Sequence, residues 1–107
     1  MKGYQLSFFT QNDRKHDSLP LSEWLLKEAQ KLGIPGVTIV PAAEGYGHDK
    51  KLHSSHFFEL SGQPIEIKMA VSAENADLIF QRLKDENINI FFIKTDIEFG
   101  ITGNSMN

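Results

Sequence analysis

Histidines are concentrated in one short stretch of the sequence, EGYGHDKKLHSSHFF, which covers residues 44–58. His48, His53 and His56 lie there, and imidazole nitrogens are ligands for zinc, copper and nickel. In a strand, residues three apart point to opposite faces, so His53 and His56 would diverge. A divalent-metal site at these histidines therefore requires irregular backbone, or subunits that meet at a symmetry axis.

The same stretch also has the features of an anion-binding loop. Two glycines allow backbone amides to approach a phosphate closely, and a lysine pair supplies positive charge. Arg14 and Lys94 can reach in from neighbouring strands, and His16 follows Arg14 closely. The residues assigned to an anionic ligand are Glu44, Gly45, Gly47, Lys50, Lys51, Lys94, Arg14 and His16.

A third interpretation is a long, exposed hairpin whose charged tip keeps it soluble and that binds no ligand. This interpretation accounts for the residue types. It does not account for the length, since long loops in compact domains usually have a function. All three interpretations remain open from the residues alone.

The sequence contains no recognisable catalytic constellation. Ser54 and Ser55 lie beside histidines, but no strained nucleophile turn precedes them, and no carboxylate at a familiar spacing would orient a base. The absence of cysteine excludes a disulfide scaffold, a zinc–thiolate site, an iron–sulfur cluster and a cysteine nucleophile. We therefore do not expect an enzyme, and no cofactor is required.

Composition and charge indicate an ordinary globular protein. The chain has 107 residues, of which 40% are hydrophobic, and a formal net charge of −3. This charge argues against broad binding to nucleic acid. No window approaches the ~20 apolar residues of a membrane helix, so we expect a cytoplasmic protein without direct membrane insertion. We expect one domain over residues 1–98, followed by a flexible tail over residues 99–107.

Hydrophobic periodicity predicts two helices and five strand segments, and the overall order is β-α-β, a long hairpin, then β-α-β. Pro20 is expected in the first turn of the first helix and Gly33 at its end. Ser72 is expected to cap the second helix and Asn87 to end it. The predicted strands cover residues 3–10, 37–45, 57–60, 65–71 and 88–93, with the second and third joined by the histidine-rich stretch. The predicted helices cover residues 21–32 and 73–86, and residues 11–18 are expected to form a loop.

Two right-handed crossovers place both helices on one face of the sheet. The predicted fold is therefore α+β and ferredoxin-like, a four-stranded antiparallel sheet with a long loop between its second and third strands. Phe8 and Phe9, like Phe91 and Phe92, put apolar groups on both faces. Soluble monomers rarely expose a large apolar patch, so we expect other subunits to bury the second face.

Several short segments, in this order and spacing, resemble a known family. They are MKGYQL, DRKH, KLGIPGVTIV, EGYG, KLHSSHFFEL and QPIEI, and together they extend to about residue 95. The chain resembles the PII-like superfamily of small signalling proteins, and more specifically its uncharacterised domain-of-unknown-function 190 family.

The resemblance implies a homotrimer in which an adenine nucleotide acts as effector in clefts between subunits. The loop between the second and third strands would respond to this ligand and signal to a partner such as a membrane transporter or channel. One segment departs from the pattern: residues 84–90 are acidic and lack glycine, where better-known PII proteins hold phosphates with a glycine-rich basic loop. The alternatives to this regulatory function are a divalent-metal-binding protein and an interaction module that needs no effector.

Overall fold

A computed structural model describes residues 1–41, 44–46, 52–54 and 62–103 of the chain. The described residues form a four-stranded sheet, two helices and two small hairpins. In chain order, the elements are β1 (Lys2–Gln11), β2 (Lys15–His16), β3 (Leu19–Pro20), α1 (Leu21–Lys31), β4 (Val37–Pro41), β5 (Glu44–Tyr46), β6 (Leu52–Ser54), β7 (Pro64–Val71), α2 (Ala73–Asp85) and β8 (Phe91–Glu98).

The four-stranded sheet has the order β4-β7-β1-β8, and every neighbouring pair is antiparallel. β1 and β7 contribute the buried apolar face of the sheet, with Leu6, Phe8 and Ile67 fully buried. Leu25 of α1 and Ile79 of α2 belong to the same core, so both helices cover one face. The predicted ferredoxin-like arrangement is confirmed.

The first helix ends where the sequence predicts. Gly33 adopts a φ of 74°, a left-handed conformation that costs glycine little and ends the helix. Leu21, Trp24, Leu25 and Ala29 are buried along its inner face. Pro20 occupies the position just before the helix rather than its first turn, so that detail of the prediction is wrong by one residue.

The second helix also begins and ends where the sequence predicts. The Ser72 hydroxyl accepts a hydrogen bond of 3.1 Å from the backbone N–H of Asn75, which satisfies one of the free donors at the helix start. Ala76, Ile79 and Leu83 form its buried stripe. Asn87, with a φ of 58°, follows the end of the helix. Asparagine tolerates this left-handed conformation better than most residues.

Three predicted boundaries are wrong. The expected loop over residues 11–18 contains β2, which pairs with β3. The strand expected over residues 37–45 is divided, because β4 pairs with β7 whereas β5 pairs with β6 in a separate hairpin. The last strand begins at Phe91 rather than Ile88 and continues to Glu98, since an exposed edge strand accepts polar residues. The strand predicted over residues 57–60 lies outside the described residues.

The face of the sheet away from the helices is apolar only in part. Phe91 and Ile93 of β8 are about half exposed, at 54% and 49%, and the Phe91 ring lies 5.7 Å from that of Phe9. The neighbouring part of this face carries Glu66 and Lys68 of β7. Among the described residues, the apolar surface is therefore concentrated at β8, the edge of the sheet. No helix among the described residues is long and apolar enough to cross a membrane.

The core can be tested with a pair of leucine substitutions. Leu25 is fully buried, whereas Leu78 on α2 is 43% exposed. Leu25→Ala should lower the free energy of unfolding by about 2–5 kcal/mol, because it leaves a cavity among packed side chains. Leu78→Ala removes the same atoms from the surface and should cost much less. Urea unfolding at one fixed protein concentration measures both, and equal losses would contradict this arrangement of the helices.

Candidate functional site

Three connections leave the sheet at the same end. The register pairs Gln11 with Pro64, Pro41 with Ile65 and Phe9 with Phe91, so the ends of β1 and β4 lie beside the starts of β7 and β8. The segments over residues 12–20, 42–63 and 86–90 therefore all begin or end there. We call this the loop end of the sheet. Three neighbouring connections offer many backbone and side-chain groups to one ligand, as loops on a rigid scaffold commonly do.

Two predicted site residues lie at the loop end and join the first connection to the third. Arg14 Nη2 donates a hydrogen bond of 2.6 Å to the backbone carbonyl of Asn89. The ring nitrogen Nε2 of His16 lies 2.9 Å from Glu86 Oε1. Partial burial lowers the pKa of Arg14 below its ordinary value. An arginine nevertheless keeps its positive charge at neutral pH.

The His16 ring is held between the carboxylate of Glu86 and an aromatic ring. It meets Trp24 edge-on, with ring centroids 4.9 Å apart. The guanidinium of Arg82 lies over the same indole, 6.0 Å from its centroid, and its Nη2 is 3.8 Å from Glu86 Oε2. Glu86 thus faces His16 with one oxygen and Arg82 with the other. Trp24 and Glu86 together fix the position of the imidazole at the loop end.

The charged network continues inward to a buried carboxylate. The side chain of Glu28 is only 5% exposed, and its Oε1 accepts a hydrogen bond of 2.8 Å from Arg82 Nε. Its Oε2 accepts one of 2.9 Å from Lys31 Nζ. Burial by itself raises the pKa of Glu28, but the hydrogen bonds from Arg82 and Lys31 and the two positive charges outweigh it, so the pKa lies below its ordinary value of 4.5.

A recess of about 620 Å³ lies between the end of α2 and the start of β8. Its volume is in the range of small-molecule pockets. It is lined by Phe80, Leu83, Lys84, Asn87, Ile88, Asn89, Ile90, Phe91 and Phe92. Aromatic rings form part of its wall, and asparagines and one lysine supply polar groups. Such a lining suits a flat, partly polar ligand.

Lys94 lies further along β8 and does not reach the loop end. Its ammonium group is 4.1 Å from the centre of the Tyr4 ring, a cation–π contact. Tyr4 pairs with Asp96 and Val71, toward the opposite end of the sheet. The structure therefore brings Arg14 and His16 together but separates Lys94 from them.

The predicted loop site is described only in part. Glu44 and Gly45 belong to β5, where Glu44 pairs with Ser54 and Gly45 pairs with His53 of β6. A two-stranded hairpin is thus present, which agrees with the hairpin interpretation of the backbone. The other loop residues assigned to a ligand or a metal lie outside the described residues: Gly47, His48, Lys50, Lys51 and His56.

Sequence reasoning missed Glu86, Asn89 and Arg82 as residues of the loop end. One signal was present, since Glu28 is a charged residue on the apolar stripe of a predicted helix. A buried carboxylate requires a cationic partner, and Arg82 on the other helix supplies it. No pattern in the sequence indicates that Arg14 would bond to the carbonyl of Asn89.

Comparison with known proteins identifies the family. The model of the DUF190 family, described as "Uncharacterized ACR", matches residues 3–98. The chain belongs to the DUF190 family. No match was found among curated proteins. The PII-like resemblance stated from the sequence is confirmed by solved structures with the same fold.

Two solved structures illustrate the fold that this DUF190 chain shares. A protein of Thermus thermophilus, described as a PII-like signalling protein, has a TM-score of 0.61 at 23% identity, with 90% of this chain and 86% of that chain covered. CPII, a nitrogen regulatory PII-like protein from Thiomonas intermedia, was solved with ADP, AMP and bicarbonate. It has a TM-score of 0.70 at 20% identity, with 94% of this chain and 91% of that chain covered.

The buried carboxylate makes stability depend on pH. Because the pKa of Glu28 is lowered in the folded state, its stabilising contribution is present above the unfolded-state pKa near 4.5 and is lost as pH falls through the folded value. Glu28→Gln should reduce the free energy of unfolding at pH 7 by about 1–3 kcal/mol, since it weakens two charged hydrogen bonds. The mutant should also lose less stability than the wild type between pH 5 and pH 3.

Glu23→Gln is the matched control, because Glu23 is an exposed residue of the same helix. Urea unfolding of all three proteins across this pH range provides the measurement. If Glu23→Gln changed the acid dependence as much as Glu28→Gln does, the special role of the buried network would be contradicted.

Proposed function

We propose that this DUF190 chain is a PII-like regulatory protein that binds an adenine nucleotide between the subunits of a homotrimer. Binding would change the segment over residues 42–63, which would then act on a partner such as a membrane transporter or channel in the cytoplasm. The observation that carries the proposal is the loop end, where this segment meets the connections that contain Arg14 and Asn89.

The solved neighbours support a nucleotide as the effector. The fold is shared along nearly the whole length of CPII, which was solved with ADP, AMP and bicarbonate. A second structure of CPII contains ADP and bicarbonate. The nucleotides and bicarbonate in these CPII structures are all anions. The loop end of this chain carries the cationic Arg14. An anionic ligand at this end is therefore consistent with both the fold and the charge.

The proposed ligand would use two kinds of contact. Its phosphates would meet the backbone of the Gly45 and Gly47 region and the charges of Lys50, Lys51 and Arg14. Its base would enter the apolar recess between α2 and β8. Arg14 would have to release the carbonyl of Asn89 in order to bind the phosphates. His16 is held by Glu86, and Lys94 lies over Tyr4 toward the opposite end of the sheet, so neither is given a contact with the ligand.

A trimer would complete the site. The exposed apolar side chains of Phe91 and Ile93 lie at the edge strand, and Phe91 also lines the recess. A neighbouring subunit packed against β8 would cover these side chains and close the recess on its open side. The ligand and the neighbouring subunit would then both contact β8, so the subunits could respond together when the ligand binds.

Signalling requires that the effector distinguish two states of the segment over residues 42–63. A ligand that binds both states equally shifts no population, whatever its affinity. In the proposed mechanism, phosphate contacts with Lys50 and Lys51 form in one state only. The partner would then recognise the segment in that state.

Nucleotide binding predicts a rise in Tm. ATP, ADP, AMP and cyclic nucleotides should be titrated into metal-free protein while its thermal unfolding is monitored. A ligand at 100 times its Kd stabilises the folded state by about 2.7 kcal/mol, which should raise Tm by roughly 10 °C for a domain of this size. If no nucleotide changes Tm, the effector proposal fails and an effector-independent interaction module takes its place.

The lysine pair can be tested separately from the fold. Lys50→Ala/Lys51→Ala should lower the affinity for the nucleotide that raises Tm by about tenfold or more, because two charged contacts to phosphate are lost. The mass of the double mutant's oligomer, measured by sedimentation, should equal that of the wild type. Lys2→Ala/Lys27→Ala removes the same charge from exposed positions outside the loop end and serves as control. Equal affinity in both double mutants would remove Lys50 and Lys51 from the site.

A further inference from the structure

His16, Asp17 and Glu86 form a cluster of potential metal ligands at the loop end, on the first and third connections. One ligand atom from each lies within 4.8 Å of the other two. His16 Nε2 is 2.9 Å from Glu86 Oε1 and 3.7 Å from Asp17 Oδ2. We propose that this cluster binds a divalent transition-metal ion of the zinc type.

The distances suit a first coordination shell. At metal–ligand distances of about 2.0–2.2 Å, a tetrahedral zinc ion holds neighbouring ligand atoms about 3.4 Å apart. The two separations from His16 Nε2 lie on either side of that value. Asp17 needs the largest adjustment, and its side chain is 69% exposed, so it is free to rotate toward the other two. Small side-chain movements would therefore complete the set.

The donor types decide the class of ion. One imidazole nitrogen with two carboxylate oxygens suits zinc and related transition metals, whereas magnesium and calcium prefer oxygen ligands alone. Three protein ligands leave a fourth position for water or for a ligand group. The exposed side chain of Asp17 lies on the solvent side, which gives an ion access to the cluster.

The surroundings already hold two of the ligands in place. Trp24 contacts the edge of the His16 ring, and Arg82 approaches the Glu86 oxygen that faces away from His16. An ion bound to Glu86 Oε1 would therefore not have to displace Arg82. It would take the place of the hydrogen bond between His16 and Glu86 and would add the carboxylate of Asp17 as a third ligand. The ion would link β2 to the residue that follows α2.

This proposal does not rest on nucleotide binding, and its ligands differ from those of a metal site at His48, His53 and His56. Zinc chloride titrated into metal-free protein by calorimetry should bind at one site per chain. Asp17→Asn/Glu86→Gln should lower the affinity for zinc by at least ~10-fold, because both carboxylate ligands are lost. Asparagine tolerates the left-handed φ of 51° at position 17, so the backbone should be kept.

Two controls make the assignment specific. Asp77→Asn/Glu74→Gln removes one aspartate and one glutamate from exposed positions of α2 and should leave zinc affinity unchanged. His48→Ala/His53→Ala/His56→Ala should also leave it unchanged. Loss of zinc binding in this triple mutant, with normal binding in Asp17→Asn/Glu86→Gln, would overturn the proposal in favour of the loop histidines. Absence of zinc binding to the wild type would overturn it as well.

Should Asp17→Asn/Glu86→Gln not fold, the wild type still provides a test. The imidazole NMR signals of His16, assigned by their loss in His16→Gln, should shift when zinc is added at one equivalent. Zinc-induced changes confined to the other histidines would refute the proposed site.

Discussion

The pairing of β1 on both sides is the constraint on which the rest of the molecule depends. β1 is hydrogen-bonded to β7 along one edge and to β8 along the other, with partners assigned from its first residues to its last. A slip of one residue would turn Leu6 and Phe8 out of the core and Phe9 into it. The same register sets which strand ends lie together, so it determines the loop end as well as the core.

Attachment of the loop end to the core depends on buried charge. Glu28 on α1 pairs with Arg82 on α2, and Arg82 also approaches Glu86, which binds His16. Taking Glu28 out of water is unfavourable, and two charged hydrogen bonds offset this cost. The two helices and the first connection are thus tied together by directional contacts, which specify one arrangement more narrowly than apolar packing does. Such a fixed base would suit the proposed function, in which the segment over residues 42–63 responds to a ligand.

The fold could be predicted from the sequence because its signals are local. Alternation in β7, the cap at Ser72 and the stop at Gly33 each specify an element within a few residues. The end of β8 could not be predicted, because its residues from Lys94 to Glu98 pair with β1 at the edge and show no apolar alternation. Likewise, Arg14 and His16 could be selected by type, but their partners Asn89 and Glu86 lie far along the chain and are brought near only by the register.

The two proposed ligands of the loop end would affect each other through charge. A divalent cation held by Asp17 and Glu86 would cancel negative charge beside the connection that Arg14 contacts through Asn89. The potential felt by a phosphate at this end would become more positive, so the nucleotide would bind more tightly. Linkage then requires that the nucleotide increase the affinity for the cation by the same factor. An ion that binds equally well with and without nucleotide would mean that the two sites are electrostatically separate, with solvent screening between them.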